Sequence, residues 1–212
     1  MNPTKLSSRA ADKNGDPMPS RPKILVFAGS AREGSLNKKL ARIAAACVND
    51  GGGEATFLDL RDYPIPLYDG DLEAREAFPP FAGKLREMFI RHQGLLIASP
   101  ENNSSVSALT KNTIDWLSRD TEGRSGLEPY RSKVAALMGA SPGGFGALSG
   151  LGHLRQILTK LGVLVIPEQV TLSLADEAFN HDGSLVDERQ LKAVAKVAKR
   201  LVEVTARMTV QG

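Results

Sequence analysis

The chain has 212 residues, a length that predicts one domain with a substantial hydrophobic core. Hydrophobic residues make up 42% and charged residues 24%, which excludes a wholly disordered, collagen-like or coiled-coil protein. The formal net charge is only +3, and no run of five or six basic residues occurs, so the sequence lacks the signature of a nucleic-acid-binding surface.

Residues 1 to 22 are predicted to form a disordered tail ahead of one domain that spans residues 23 to 212. The segment contains four prolines and too little apolar material to offset the entropy of ordering it. It lacks the apolar core of a secretory signal, and Asp12 and Asp16 argue against a transit peptide. No stretch approaches the roughly 18 apolar residues of a membrane span. We therefore expect a cytoplasmic protein that does not enter a membrane.

Short apolar runs alternate with helical patterns from residue 24 onward. The predicted strands are residues 24–28, 55–60, 94–98, 134–138 and 163–166, and the predicted helices are residues 36–48, 81–92, 106–117, 147–161 and 187–208. Continuously apolar strands that alternate with helices are typical of a parallel sheet covered on both faces. Five such units predict an α/β fold: a flavodoxin-like, doubly wound, five-stranded parallel sheet in three αβα layers. Residues 61–80 and 119–131 are the longest irregular stretches.

The single cysteine and the three histidines predict no metal site. Cys47 lies on the apolar stripe of the first helix and is expected to pack as a small core residue. One cysteine cannot form an internal disulfide or a CxxC pair. His92, His153 and His181 are expected to cap helices or to face solvent rather than to act in catalysis.

The turn after the first strand is predicted to bind a phosphate group. It runs from Gly29 to Asn37 and supplies two serines, an amide and Arg32 at the start of a helix, where free N–H groups and the positive end of the dipole favour an anion. The simpler alternative is that Ser35 only caps the helix and Arg32 is solvated. The turn lacks the P-loop pattern, and it has alanine at the second glycine of the dinucleotide motif, so a mononucleotide fits better than a dinucleotide.

The turn after the fourth strand allows two interpretations. Gly139 to Gly143 matches the G-x-S-x-G pattern of a hydrolase nucleophile, with Asp176 and His181 following in hydrolase order. Pro142 argues against a hydrolase, because it has no N–H to contribute to an oxyanion hole. The remaining possibility is that Ser141 to Gly146 lets a flat ligand lie close to the backbone, unless its glycines serve only tight turning.

The turn after the third strand, Ser99 to Val106, adds amides and hydroxyls beside the other two turns, although these side chains could simply be caps. Ligands of open α/β sheets lie beyond the carboxyl ends of the strands, where the strand order reverses. Three small, polar turns at that edge, without a metal cluster, predict a site for a flat, phosphorylated cofactor.

Several motifs resemble the NADPH-dependent FMN reductase family, particularly its chromate and quinone reductase branch. They are Gly29-Ser30-x-Arg32-x-x-Ser35-x-Asn37, Pro100-Glu101-x-Asn103, the run from Leu109 to Arg119, Pro66-Leu67-Tyr68-Asp69 and the run from His153 to Leu158. The similarity covers about residues 23 to 207. The resemblance implies hydride transfer from NADPH or NADH through FMN to a quinone, free flavin or a similar small-molecule acceptor, with the flavin carrying the chemistry. It also implies a homodimer or homotetramer, in which Trp116 is a core or interface residue.

The same resemblance implies three sets of cofactor-binding residues and no catalytic side chain. The phosphate of FMN would be surrounded by Ser30, Arg32, Ser35, Leu36 and Asn37. The isoalloxazine and ribityl groups would be lined by Pro100, Glu101, Asn102, Asn103 and Ser104. The other edge of the flavin would be lined by Ser141, Pro142, Gly143, Gly144 and Phe145.

One position departs from the family pattern, which has tyrosine where this chain has Asn102. A tyrosine would add a ring beside the flavin, so its loss is expected to weaken FMN binding or to widen the space over the ring. A non-catalytic electron carrier or sensor that binds FMN is therefore an alternative function.

Overall fold

The computed structural model describes residues 21 to 210, apart from the side chain of Val210. The predicted tail lies outside the described residues over positions 1 to 20. Its last two residues contact the domain. Pro22 is buried, and its carbonyl accepts a hydrogen bond from the amide of Glu54 at 2.9 Å. Arg21 donates from its guanidinium to the carbonyls of Asn49 and Gly52.

Five parallel strands form one sheet in the order β2-β1-β3-β6-β7. They are β1 (Lys23–Ala28), β2 (Glu54–Leu58), β3 (Gly94–Ala98), β6 (Val134–Ala140) and β7 (Leu164–Leu172). The two remaining strands, β4 (Glu101–Asn102) and β5 (Ser105–Val106), form a small antiparallel hairpin. This strand order is that of flavodoxin and reverses direction between β1 and β3, which confirms the predicted fold.

Within the described residues, six α-helices cover the two faces of the sheet: α1 (Leu36–Asp50), α2 (Gly70–Arg75), α3 (Pro80–Arg91), α4 (Ala108–Leu117), α5 (Leu148–Lys160) and α6 (Glu188–Val210). Alternate residues of β1 enter two separate cores. Ile24 and Val26 pack with α1 and α6, whereas Leu25 and Phe27 pack with α3, α4 and α5. Burial on both faces explains why the strands are continuously apolar in sequence. No helix within residues 21–210 has the length and apolar character needed to cross a membrane.

Several element boundaries differ from the sequence-based prediction. The second strand ends at Leu58 instead of residue 60, before a 3₁₀ turn at Leu60–Asp62, and the fourth strand of the sheet continues past residue 138 to Ala140. Two larger differences have identifiable reasons. The fifth strand of the sheet does not stop at Ile166 but continues through Pro167 to Leu172. The register with β6 shifts between Ala135 and Leu137, and β7 is an edge strand, where a proline costs no ladder hydrogen bond on the open side. Helix α4 starts at Ala108 instead of residue 106, because the two residues before Ser107 belong to the hairpin.

The irregular stretch at residues 61–80 contains helix α2 and is held against α4 by side chains. The side-chain oxygen of Asn112 accepts from the backbone N–H of Tyr68 at 2.7 Å, and its side-chain NH₂ group donates to the carbonyl of Pro66 at 2.9 Å. The indole of Trp116, which is 1% exposed, donates to the same carbonyl at 2.8 Å. Within this chain Trp116 is therefore a core residue.

Candidate functional site

One cleft of about 470 Å³ lies at the carboxyl edge of the sheet, where the turns after β1, β3 and β6 meet. This is the position at which the strand order reverses between β1 and β3. The cleft is lined by ten of the predicted site residues: Ser30, Arg32, Ser35, Leu36, Asn37, Pro100, Glu101, Asn102, Ser141 and Pro142. It is also lined by residues outside the predicted cofactor-binding set: Gly29, Ala31, Ser107, Ala108, Leu109 and Ala140.

Five predicted residues do not line the cleft. Asn103 and Ser104 form the two-residue tip of the β4–β5 hairpin, and both have a positive φ, as the mirror-image turns of tight hairpins require. Gly143, Gly144 and Phe145 belong to the turn after β6, where the side chain of Phe145 is 80% exposed. From the sequence, the segment after β3 was predicted to be an irregular turn. The hairpin was missed because it forms only when Asn103 and Ser104 both adopt a left-handed backbone.

The turn between β1 and α1 has the donors that an anion needs. Ser35 is the N-cap of α1, and its hydroxyl accepts from the amide of Lys38 at 3.3 Å. The amides of Leu36 and Asn37 have no acceptor among residues 21–210, and no acidic residue lies in the first turn of the helix. Arg32 is exposed and forms no ion pair with the described residues. The helix start therefore presents free N–H groups and a cation to the cleft.

Asn37 joins two of the three turns. Its buried side chain donates to the carbonyl of Ala140 at 2.8 Å and accepts from the amide of Ala140 at 2.9 Å. Ala140 is the last residue of β6, and it is 103 positions away in the chain. Both polar atoms of the amide side chain are thus used to fix the start of α1 against the end of β6.

Gly29 and Ser107 join the first turn to α4. The hydroxyl of Ser107 donates to the carbonyl of Gly29 at 2.7 Å and also lies 2.9 Å from the hydroxyl of Thr110. A Cβ atom at position 29 would lie 1.9 Å from the Oγ1 atom of Thr110 and 3.2 Å from Pro100. Only glycine therefore permits this close approach between the turn and the start of α4.

Glu101 joins the hairpin to α5. Helix α5 has no side-chain cap of its own, because its N-cap residue is Ala147, with a φ of 73°. The carboxylate of Glu101 accepts from the amide of Gly150 at 2.8 Å and so takes the place of a local cap. Ser105 on the other hairpin strand lies 3.0 Å from the imidazole of His153. The hairpin is thereby fixed on the first two turns of α5.

We expect Glu101→Ala to lower the free energy of unfolding by about 1 to 2 kcal/mol, because it removes a charged acceptor from a helix N-terminus. Glu101→Gln keeps an acceptor oxygen and should lose less than half as much. Urea denaturation measures both values, with Glu177→Ala as the control, since that glutamate is exposed and its carboxylate makes no hydrogen bond with the described residues. Equal stability of Glu101→Ala and the wild type would contradict the capping role.

The hydrolase constellation is not assembled in the structure. The hydroxyl of Ser141 accepts from the amide of Gly143 at 3.2 Å, and no hydrogen bond joins Ser141 to His181 among the described residues. His181 lies instead in a separate groove with Lys39 and Arg42. Ser141 lines the cleft, and no histidine of residues 21–210 lines it with Ser141.

The described part of the chain contains no group of three His, Cys, Asp or Glu side chains that could hold a metal ion. His92 is the C-cap residue of α3, and its two ring nitrogens lie 2.6 Å from the carbonyl of Met88 and 2.8 Å from the hydroxyl of Thr56. Burial lowers the pKa of His92 below its ordinary value, which favours the neutral ring. Half-burial likewise raises the pKa of the Cys47 thiol, so neither group is set up for chemistry.

Comparison with known proteins identifies the family of the fold and of the cleft. A model of the NADPH-dependent FMN reductase family matches residues 22–177. An NAD(P)H-dependent FMN reductase of Pseudomonas aeruginosa is 37% identical over 188 residues, which cover 84% of this chain and 96% of that protein. An NADPH:quinone oxidoreductase of Arabidopsis thaliana is 31% identical over 191 residues, which cover 88% and 93% respectively.

Solved structures agree with these relatives. A flavoenzyme NAD(P)H:(acceptor) oxidoreductase from Paracoccus denitrificans superposes with a TM-score of 0.72 at 28% identity, covering 88% of this chain and 98% of that one. A flavodoxin from an archaeon superposes with a TM-score of 0.57 at 11% identity, covering 86% and 98%, and shows the shared fold alone.

Proposed function

The chain belongs to the NADPH-dependent FMN reductase family, and from that membership we propose that its cleft binds FMN and serves electron transfer from NAD(P)H to a small-molecule acceptor. The protein is an NAD(P)H-dependent, FMN-dependent oxidoreductase, and its relatives are named as reductases of FMN or of quinones. These names favour an enzyme over the carrier or sensor alternative. The observation that carries the site assignment is the meeting of three turns around the free N-terminus of α1.

The residues present fit FMN in size and in chemistry. The cleft volume of about 470 Å³ lies within the range of small-molecule sites, roughly 300 to 1,000 Å³. Its lining combines Arg32, serine hydroxyls and the amides of the helix start with the small or apolar side chains of Ala31, Pro100, Leu109 and Pro142. Gly29 lets the turn after β1 approach the start of α4 closely, which sets the shape of this part of the cleft. A ligand with an anionic group and a flat ring system matches this lining.

The phosphate group of FMN is assigned to the start of α1. Arg32 supplies the charge, Ser30 supplies a hydroxyl, and the amides of Leu36 and Asn37 supply the unpaired N–H groups of the helix end. Asn37 contributes its backbone here, because its side chain is occupied by Ala140. Ser35 acts as the helix cap and orients these donors.

The ring system is assigned to the space between the hairpin and the turn after β6. Pro100, Glu101 and Asn102 form one wall, and Ser141 and Pro142 form the other. FMN held here would supply the redox chemistry that links NAD(P)H to the acceptor, so the chain needs no acid or base of its own. The chain orients the ring, keeps the edges of the cleft fixed through the hydrogen bonds of Asn37, Ser107 and Glu101, and excludes water from one face of the ligand.

We also propose an oligomeric state and a location for the protein. A homodimer or homotetramer follows from the resemblance to the family, and the exposed side chains of Leu67 and Phe145 offer apolar area for such contacts. A cytoplasmic location fits a chain with one unpaired cysteine, because cysteine-poor chains without disulfides suit a reducing compartment.

The decisive experiment is a visible spectrum of the purified protein loaded with FMN, followed under anaerobic conditions while NADPH is added. Bleaching of the flavin within the time of turnover, and its recovery when a quinone is added, is the expected result. A parallel loading with riboflavin tests the phosphate subsite, and we expect riboflavin to bind at least about tenfold more weakly than FMN. Flavin that stays yellow would support the carrier or sensor alternative, and a colourless protein would refute the site.

We expect Asn102→Tyr to tighten FMN binding by about fivefold, because an aromatic ring at this wall of the cleft adds apolar contact with a flat ligand. Fluorescence titration of FMN measures the change. Asn102→Leu is the matched control, since it adds apolar area without a ring and should give a smaller gain. Unchanged or weaker affinity of Asn102→Tyr would refute this prediction.

A further inference from the structure

A second pocket lies at the opposite edge of the sheet, beneath the amino ends of β3 and β6. It has a volume of about 380 Å³, within the range of small-molecule sites. Its walls are the ends of α3 and α6 and the residues that precede the two strands. The proposed reductase activity does not use any of them.

Two cations line this pocket, Arg131 and Lys133, and no aspartate or glutamate lines it. Lys133 is only 5% exposed, and its ammonium donates to the carbonyl of His92 at the end of α3. Neither cation forms an ion pair with any residue between 21 and 210. Burying an ammonium group beside a single neutral acceptor costs free energy, because the charge loses its hydration and gains no counter-ion. Burial accordingly lowers the pKa of Lys133 to about 8.

The other polar groups around the pocket fall into donors and acceptors. Gln93 accepts the amide N–H of Lys23 at 2.9 Å through its side-chain oxygen, which leaves its NH₂ group as a donor. The hydroxyls of Thr205 and Thr209 donate to carbonyls of their own helix. Both ring nitrogens of His92 are already engaged. Ser132 also lines the pocket, and its hydroxyl has no hydrogen-bond partner among residues 21–210. The side-chain donors left for a ligand are therefore the two cations, the NH₂ group of Gln93 and the hydroxyl of Ser132, and the remaining wall is partly apolar.

We propose that this pocket binds a small phosphate-bearing anion through Arg131, Lys133 and Gln93, at a site separate from the cleft. A phosphate group provides the missing counter-charge and accepts several hydrogen bonds at once. Ile90 and Met208 would contact the organic part of a phosphate monoester. The site lies across the sheet from the flavin cleft, so its ligand does not compete with FMN.

The proposal is tested by calorimetric titration of inorganic phosphate and of phenyl phosphate into the FMN-loaded protein in a phosphate-free buffer. We expect saturable binding that Arg131→Ala weakens by about tenfold, as for the loss of one charge-assisted contact. Lys133→Met should weaken it at least as much. Arg131 is exposed, so its replacement leaves folding intact even where Lys133→Met does not. Arg91→Ala is the control, because Arg91 lies between two lining residues and does not itself line the pocket.

Backbone amide signals in NMR spectra show which of the two sites binds phosphate. Phosphate in this pocket should shift the signals of Gln93 and Ser132, whereas phosphate in the cleft would shift those of Leu36 and Asn37. Repeating the phosphate titration on protein without FMN shows whether phosphate binds in this pocket or in the cleft. The proposal can therefore be tested even if the protein does not bind FMN. Tighter binding of phenyl phosphate would identify a monoester as the ligand, and equal binding would identify inorganic phosphate. An absence of binding, or equal weakening by Arg91→Ala and Arg131→Ala, would overturn the proposal.

Discussion

Gly29→Ala is expected to lower the free energy of unfolding by about 3 kcal/mol and to weaken FMN binding by at least about tenfold. The added Cβ would lie 1.9 Å from the hydroxyl oxygen of Thr110, which is buried and hydrogen-bonded to Ser107. Either Thr110 rotates and loses that contact, or the turn after β1 moves away from α4. Because this turn carries the proposed phosphate donors, a shift would misplace them. Urea denaturation and FMN titration measure the two effects.

Gly34→Ala provides the matched control for this prediction. It adds the same methyl group to the same turn, and no atom lies within 4 Å of the new Cβ position. Its stability and FMN affinity should therefore stay close to those of the wild type. The double variant Gly29→Ala with Thr110→Ala should recover part of the loss, since it removes the atom that the methyl group meets. Equal behaviour of the two alanine variants would refute the steric argument.

Asn37→Ala should destabilise the protein by about 2 to 4 kcal/mol, because it leaves the amide and the carbonyl of Ala140 unpaired in the interior. The start of α1 would then lose its direct connection to the end of β6. FMN affinity should fall with it, as the two walls of the cleft separate. Denaturation curves and FMN titration again supply the measurements.

The variant Asn37→Asp separates the loss of stability from the loss of FMN affinity. Aspartate has the same shape and still accepts from the amide of Ala140, but it cannot donate to the carbonyl, and its charge repels a phosphate at the helix start. FMN affinity should therefore fall more in Asn37→Asp than in Asn37→Ala at comparable stability. Asn49→Ala is the control at the other end of α1, where one exposed hydrogen bond to Ala55 is lost and the cost should stay below about 1 kcal/mol. A similar cost at both asparagines would contradict the role of Asn37.

The sheet could be predicted because its signals are local. Each strand is a continuous apolar run, such as Leu95 to Ala98, and each helix has an apolar stripe, so the two periodicities identify the elements without any contact information. Where a boundary depends on a neighbour, prediction fails. The extension of β7 past Pro167 requires knowing that the strand lies at an edge, and the hairpin at residues 101–106 requires two left-handed residues that the sequence does not mark.

The position of the cleft could be predicted from the sequence, whereas the contacts of its side chains could be predicted only in part. The three turns meet at the strand-order reversal, as expected for an open α/β sheet. The side chains of Asn37 and Glu101, however, are proposed cofactor residues in the sequence and bind Ala140 and Gly150 in the structure. Ser107 was not singled out at all, although it joins α4 to Gly29. These partners are distant in sequence, so no local pattern could have indicated them.

The same distances determine when the cleft can form during folding. Its three clamping hydrogen bonds close loops of 49, 78 and 103 residues, from Glu101 to Gly150, Gly29 to Ser107 and Asn37 to Ala140. Long loops cost more entropy to close and tend to form late. A nascent chain of 140 residues contains both partners of the Gly29–Ser107 and Asn37–Ala140 bonds, whereas the Glu101–Gly150 bond has to wait for α5. The hairpin wall of the cleft is therefore fixed last, and we expect the cofactor to bind a domain whose sheet is already largely formed.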